Sequence, residues 1–348
     1  MKIIVTGASG FIGRVLVDKL LNEGNTVFPI IRAITNKKLL NPEITDYYED
    51  NGDDDKLLKF IKKTHCEGVI HLASYFTVTH KTSDITPLIN SNVHFPTRII
   101  DASCKANIEW FLNIGTFWEH MNHHAYLPVN LYASTKKAFE AISKFYVEHN
   151  NLKFITVKLN DTYGPNDSRN KIINLWIDIA KHGTLLKMSP GQQMIDIVHV
   201  EDVVNALILS IKRFYKNDFN RERFEVYSIL SKRKYSLRNL AQIFETSTGK
   251  KLNIKWGALP YRNNEIMNPY CPFDIVPGWE QKISIENGFD QIGQELFLPN
   301  LLHSFKIIPG QVDGNHFLLI FFAPIPELDQ MGNMDSLFHY SYKVMPPI

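Results

Sequence analysis

The chain has few cysteines, no excess of one charge sign and no long apolar run. Its 348 residues hold three cysteines, Cys66, Cys104 and Cys271. Odd in number and far apart, they give no disulfide framework and no paired metal-ligand spacing, which fits a reducing compartment. The 38 Lys and Arg nearly balance the 36 Asp and Glu, leaving a net charge of +2. That balance gives no electrostatic reason to expect nucleic acid or an anionic membrane as partner. The N-terminal run Ile3-Ile4-Val5 breaks at Gly7, too early for an export signal. The most apolar later stretch, 317–325, falls well short of the roughly 20 residues a spanning helix needs. A cytoplasmic location is the expectation. No self-similar period of solenoid or propeller type is visible. The cluster His120-Met121-Asn122-His123-His124 has no cysteine or second cluster beside it, so no metal site is expected.

Apolar residues make up 44% and charged residues 21%, close to a globular average. The length suits about two structural units. Short β-branched runs recur at residues 2–5, 27–31, 68–72, 110–114 and 154–159, with helix-like stretches between them. In the first of these stretches, Phe11 to Asn22, apolar residues fall at helical spacing and Gly24 closes it. Strands alternating with helices predict an α/β fold with a Rossmann-type doubly wound parallel sheet. Beyond Tyr163, turn clusters such as Gly164-Pro165-Asn166-Asp167 predict a smaller mixed domain. We expect a dinucleotide-binding domain over 1–164, completed by about 196–230. The substrate-binding domain is expected over 165–195 and 231–292. Residues 293–348 form an atypical extension, since 296–348 hold only six charged residues in 53.

Directly after the first strand stands Thr6-Gly7-Ala8-Ser9-Gly10-Phe11-Ile12-Gly13. The glycines recur every third residue between a strand and a helix. Gly7 permits the tight turn, Gly10 admits a pyrophosphate close to backbone, and Gly13 lets helix and strand touch. Ser9, Phe11 and Ile12 lie on the same turn, whose helix end offers unpaired N–H groups to phosphate. The second strand ends Ile30-Ile31-Arg32. An acid at this place would hold the ribose 2′-hydroxyl of NAD, whereas an arginine suits the 2′-phosphate of NADP. NADP(H) is therefore the preferred cofactor, with NAD(H) as the alternative. Asp53 reads as an adenine contact, or as a charge at a helix N-terminus.

Tyr132 and Lys136 lie four apart on a predicted helix and share one face. An ammonium beside a phenol favours the phenolate, so Lys136 is expected to lower the tyrosine pKa from about 10. That would tune Tyr132 for acid–base work.

These features, with His71-Leu72-Ala73-Ser74, Asn92 and Thr116, make the chain resemble the extended short-chain dehydrogenase/reductases, the nucleotide-sugar epimerases, dehydratases and reductases. Leu159-Asn160-Asp161-Thr162-Tyr163-Gly164-Pro165 and Asp196-Ile197-Val198-His199 extend the resemblance over about residues 1–292. Within that family, Gly115-Thr116-Phe117-Trp118-Glu119-His120, Pro128-Val129-Asn130-Leu131-Tyr132 and Pro260-Tyr261-Arg262 resemble nucleotide-sugar 4-ketoreductases of the CDP-abequose and CDP-paratose synthase type. The resemblance implies NADPH, hydride delivery to C4 of a nucleotide-linked deoxysugar, and a homodimer. It implies Tyr132 as proton donor, Lys136 as its partner on the nicotinamide ribose, and Thr116 as a hydrogen-bond donor to the ketone oxygen. It implies Leu72, Ala73, Ser74 and Asn92 along the cofactor, and Phe117, Asp161, Lys171, Asn174 and Arg262 around the substrate.

Three departures stand out. Dehydratases carry Asp-Glu directly after the threonine, and here Phe117-Trp118 follow, with Glu119 close by. A second phosphate-binding arginine usual in relatives falls at Ile195, and Asp161 stands where many relatives have Asn. Simple carbonyl reduction leads. The alternatives are an NAD-dependent 4-epimerase and a dinucleotide-binding regulatory protein without turnover.

Overall fold

The computed structural model describes residues 1–216, 219 and 223–294, and the backbone of 295–301, 305–312 and 315–322. Most of the extension expected over 293–348 lies outside the residues described with side chains.

The first half alternates as read. β1 (Lys2–Thr6) leads into α1 (Phe11–Asn22), β2 (Thr26–Arg32), β3 (Tyr48–Asp50), α2 (Asp54–Thr64) and β4 (Gly68–His71). Then come α3 (Ile85–Ile89), α4 (Phe95–Lys105), β5 (Trp110–Thr116), α5 (Leu131–His149) and β6 (Lys153–Leu159). The second half is more broken. It holds β7 (Asp161–Tyr163), α6 (Ile172–His182), β8 (Leu186–Lys187), β9 (Met194–Ile195), β10 (Ile197–His199) and α7 (Val200–Arg213). It continues with β11 (Phe224–Ile229), β12 (Tyr235–Ser236), α8 (Leu237–Thr248), β13 (Ile254–Lys255) and α9 (Ile285–Leu301). A hairpin of β14 (Phe305–Val312) and β15 (Asn315–Phe322) follows.

Seven parallel strands form the main sheet in the order β11-β6-β5-β4-β1-β2-β3. The order reverses between β1 and β4, so a crevice opens at their carboxyl ends, where doubly wound folds bind ligands. Side chains alternate across the sheet. Ile3 and Val5 face a core with Leu16 and Leu20 of α1 and Val203, Leu207 and Ile211 of α7. Ile4 faces the other way, into a core with Leu57 and Ile61 of α2, Ile99 of α4 and Phe139 of α5. Each such side chain, fully buried, contributes about 1.5–3 kcal/mol. A third core gathers Tyr163, Trp176 of α6, Phe244 of α8 and Phe289 of α9 away from the sheet. Cys66 sits in the second core and Cys104 packs against it, and all three cysteines are unpaired. Among the described residues no helix is long and apolar enough to cross a membrane.

Candidate active site

The glycine turn sits at the carboxyl end of β1. Gly7 has φ 75°, and a methyl there would lie 2.7 Å from the Ala73 nitrogen. A methyl on Gly13 would collide with the Gly7 carbonyl oxygen. Gly10, exposed, caps α1 without any side-chain hydrogen bond, and the first turn carries no acid. The helix therefore presents bare N–H groups and a partial positive charge at an open end, which fits a pyrophosphate. Ser9 and Ile12 are half-buried on this turn, while Phe11 is buried. The adjacent loop is tied to β1, because Leu72 N donates to Thr6 O (3.1 Å) and Ala73 N to Thr6 Oγ1 (3.2 Å).

Asn92 sits in a widened helical turn, Asn90–His94, between α3 and α4. Its Oδ1 accepts from Ser74 Oγ (3.0 Å) and Tyr75 N (2.8 Å). Its Nδ2 donates to Tyr75 O (2.9 Å) and Thr135 Oγ1 (3.0 Å). An amide makes four such bonds at most, so Asn92 holds the loop after β4 against α5 and has none left for a ligand. Arg32 is exposed at the end of β2, beside buried Ile31. Asp53 takes the second of its two readings. Its carboxylate caps α2 by accepting from Lys56 N (3.0 Å) and pairs with Lys56 Nζ (3.0 Å).

α5 is capped by Asn130, whose Oδ1 accepts from Ala133 N (3.0 Å). This cap places Tyr132 in the first turn and Lys136, 3% exposed, one turn on. Phe76 meets the Tyr132 ring edge-on at 5.0 Å, and Trp118 does so at 6.4 Å. Here the structure corrects the sequence reading. Burial pushes the Tyr132 phenol up to about 12, opposed by the Ser74 hydroxyl and Arg169, while Glu119 adds to the rise. Burial likewise pushes Lys136 down to about 8. In the chain alone, desolvation outweighs any acidifying effect of the lysine. Thr116, the last residue of β5, accepts from Trp118 N (3.3 Å) and keeps its hydroxyl proton to donate.

A cleft of about 540 Å3 opens beside Trp118, lined also by Phe117, Asn130, Asp161, Ile195 and Arg262. Arg262 lies at its mouth, bound to Glu265 through Nε (2.8 Å) and Nη2 (2.9 Å). Lys171 reaches the same region, 3.7 Å from Asp161 and 4.0 Å above the Phe76 ring. Asn174 does not line the cleft. Its Nδ2 binds the carbonyls of Asp167 (2.7 Å) and Arg169 (2.6 Å) and shapes the turn before α6. Sequence reasoning passed over Arg169. Its guanidinium lies 4.4 Å over the Phe11 ring of the glycine turn and binds Asp167. A cation two residues after the Gly164–Asp167 turn cluster was the available signal.

Residues 3–226 match the model of the NAD dependent epimerase/dehydratase family. The chain belongs to that family. With the membership it is an enzyme of NAD(P)-dependent oxidoreductase type. It is 27% identical over 301 residues to CDP-abequose synthase of Salmonella typhimurium, covering 84% of this chain and 98% of that protein. It is 26% identical to the Salmonella muenchen protein of the same name over 291 residues, covering 82% and 95%. Among solved structures, the UDP-glucose 4-epimerase of Thermotoga maritima with UDP-glucose superposes with a TM-score of 0.74 at 22% identity. That match covers 86% of this chain and 100% of the epimerase.

Proposed function

We propose that this family member reduces the C4 ketone of a nucleotide-linked deoxysugar, a CDP-4-keto-3,6-dideoxyhexose or a close analogue, with NADPH. One observation carries the reading: the cleft is walled by Phe117 and Trp118, the two residues that follow Thr116. Aromatic faces suit a sugar that has lost hydroxyls, and they place no acid where a dehydratase needs one. The likeness to the abequose synthases supports the same sugar class. Work divides between residues 1–164 with about 196–230, for the cofactor, and 165–195 with 231–292, for the substrate.

Bound on the glycine turn, the dinucleotide supplies a hydride. The turn from Gly7 to Gly13 holds its pyrophosphate, and Arg32 faces its 2′-phosphate. Thr116 donates a hydrogen bond to the ketone oxygen and fixes its direction. Tyr132 gives that oxygen its proton, so ketone, hydride and proton sum to the alcohol. A phenol pushed up to about 12 is in the donor form at neutral pH. Lys136, charged below about 8, steadies the phenolate left behind. Arg262 and Lys171 face the diphosphate. Ile85 and Ile89 of α3 and Phe145 of α5 are exposed apolar side chains that a second copy would cover, and we infer a cytoplasmic homodimer.

A panel of CDP-, dTDP-, GDP- and UDP-4-keto sugars with NADPH and NADH tests the reading. Oxidation of NADPH with a CDP-linked dideoxy sugar is expected. Arg32→Ala should raise the KM for NADPH about tenfold and leave that for NADH within twofold, as expected for losing one phosphate contact of about 1.4 kcal/mol. Equal effects on both cofactors would remove Arg32 from the 2′-phosphate.

A further inference from the structure

Three charged side chains lie buried behind the reacting groups. Lys158 of β6 is fully enclosed, and its Nζ stands 2.7 Å from Glu119 Oε2 and 2.5 Å from Glu140 Oε2. Glu119 is fully buried and Glu140 nearly so. The three residues come from the three elements that build the site. Glu119 closes the short turn begun by Thr116, Glu140 lies one turn beyond Lys136 on α5, and Lys158 pairs in register with Gly115. A methyl at Gly115 would sit 2.5 Å from Lys158 Cδ, so the glycine before Thr116 leaves room for the lysine stem. The Phe273 ring covers the ammonium, 5.7 Å from its centroid. Leu127 N donates to Glu119 O (2.8 Å) and Val129 N to Trp118 O (2.9 Å), tying this turn to the segment entering α5.

Burying three charges is costly, and an apolar trio would stabilise the fold as well or better. Glu119 Oε1 is buried without a hydrogen-bond partner. We propose that Glu119, held by Lys158, which also pairs with Glu140, is a positioning residue that fixes Thr116 against the Tyr132–Lys136 helix and serves as buried counter-charge to Lys136. The ionisable groups around Lys136 and its two carboxylates are Tyr132, Lys137 and Glu140 on its own helix, Glu119 on the turn, Lys158 on β6 and His71 on β4; Lys137 Nζ stands 2.6 Å from Glu140 Oε1, and burial raises the Glu119 carboxyl while Lys158 and Lys137 draw it down. Burial holds His71 neutral, so it adds no charge. Burial opposes the charge on Lys136, Lys158 opposes it too, and the two carboxylates favour it. Removing the Glu119 charge therefore makes Lys136 lose its proton at lower pH.

The assignment of a role in turnover rests on the reductase reading above, so the test has two arms. Glu119→Gln keeps the shape and one oxygen for Lys158, and its melting temperature should stay close to that of the parent. In the first arm, the alkaline limb of kcat/KM for 4-keto sugar reduction should move down by about one pH unit. Its acid plateau should fall by less than threefold. The second arm needs no turnover: the ε-carbon NMR signal of Lys136, in chain labelled with 13C-lysine and assigned with Lys136→Met, should titrate about one unit lower in Glu119→Gln. If no keto sugar is reduced yet the signal moves, the reductase reading fails and the counter-charge stands. If the signal and the limb both stay in place in a folded variant, the counter-charge is refuted. Lys158→Arg should preserve both properties.

Discussion

Tyr132→Phe should slow ketone reduction by about two to four orders of magnitude, the usual weight of a positioned general acid. The Kd for NADPH should stay within about twofold. The reason is local. The ring of residue 132 is held edge-on by Phe76 and Trp118, and phenylalanine keeps both contacts. Only the O–H is lost, and with it the proton for the ketone oxygen. Because burial holds that phenol up to about 12, the parent should show no loss of rate from Tyr132 ionisation near neutrality. Its alkaline limb should instead fall near pH 8, where Lys136 gives up its charge. Stopped-flow kinetics and a fluorescence titration separate the two effects. A variant that kept its rate would remove Tyr132 as donor.

Gly13→Ala should be as damaging by a different route. The added methyl meets the carbonyl oxygen of Gly7, which is backbone and cannot swing aside. Either α1 moves off β1 or the turn opens, and both displace the N–H groups meant for pyrophosphate. Overpacking typically costs about 1–3 kcal/mol, and a clash with fixed backbone falls at the upper end. We expect a melting temperature lower by several degrees and NADPH binding weakened at least 100-fold. Calorimetry gives both numbers. Gly24→Ala is the comparison. Nothing lies within 4 Å of a methyl there, so its φ of 78° is the one source of strain. If Gly13→Ala bound NADPH normally, the close approach of helix and strand would not govern the cofactor site.

How much of this was legible in the sequence depended on distance along the chain. The turn from Thr6 to Gly13 and the helix from Phe11 to Asn22 are local patterns, and the structure reproduces them. The parallel sheet followed from alternating strands and helices. Asp53 was ambiguous because a helix cap and a ligand contact use the same carboxylate, and only the Lys56 N–H decided it. Asn92 fits the family pattern in sequence, yet its four bonds reach residues 17 to 43 positions away. The Glu119–Lys158–Glu140 group could not be read at all. Its members are 18 to 39 residues apart and meet through the register of β5 and β6. The tyrosine pKa failed for a related reason, since spacing shows a neighbouring ammonium but not the burial that outweighs it.

The most direct test follows the hydrogen itself. The chain is incubated with a CDP-4-keto-3,6-dideoxyhexose and NADPH carrying deuterium at the transferable C4 position of the nicotinamide. One mole of cofactor oxidised per mole of sugar is expected, with a single deuterium at C4 of one product epimer by NMR. A sugar interconverted at C4 without net oxidation, or a product free of deuterium, contradicts it.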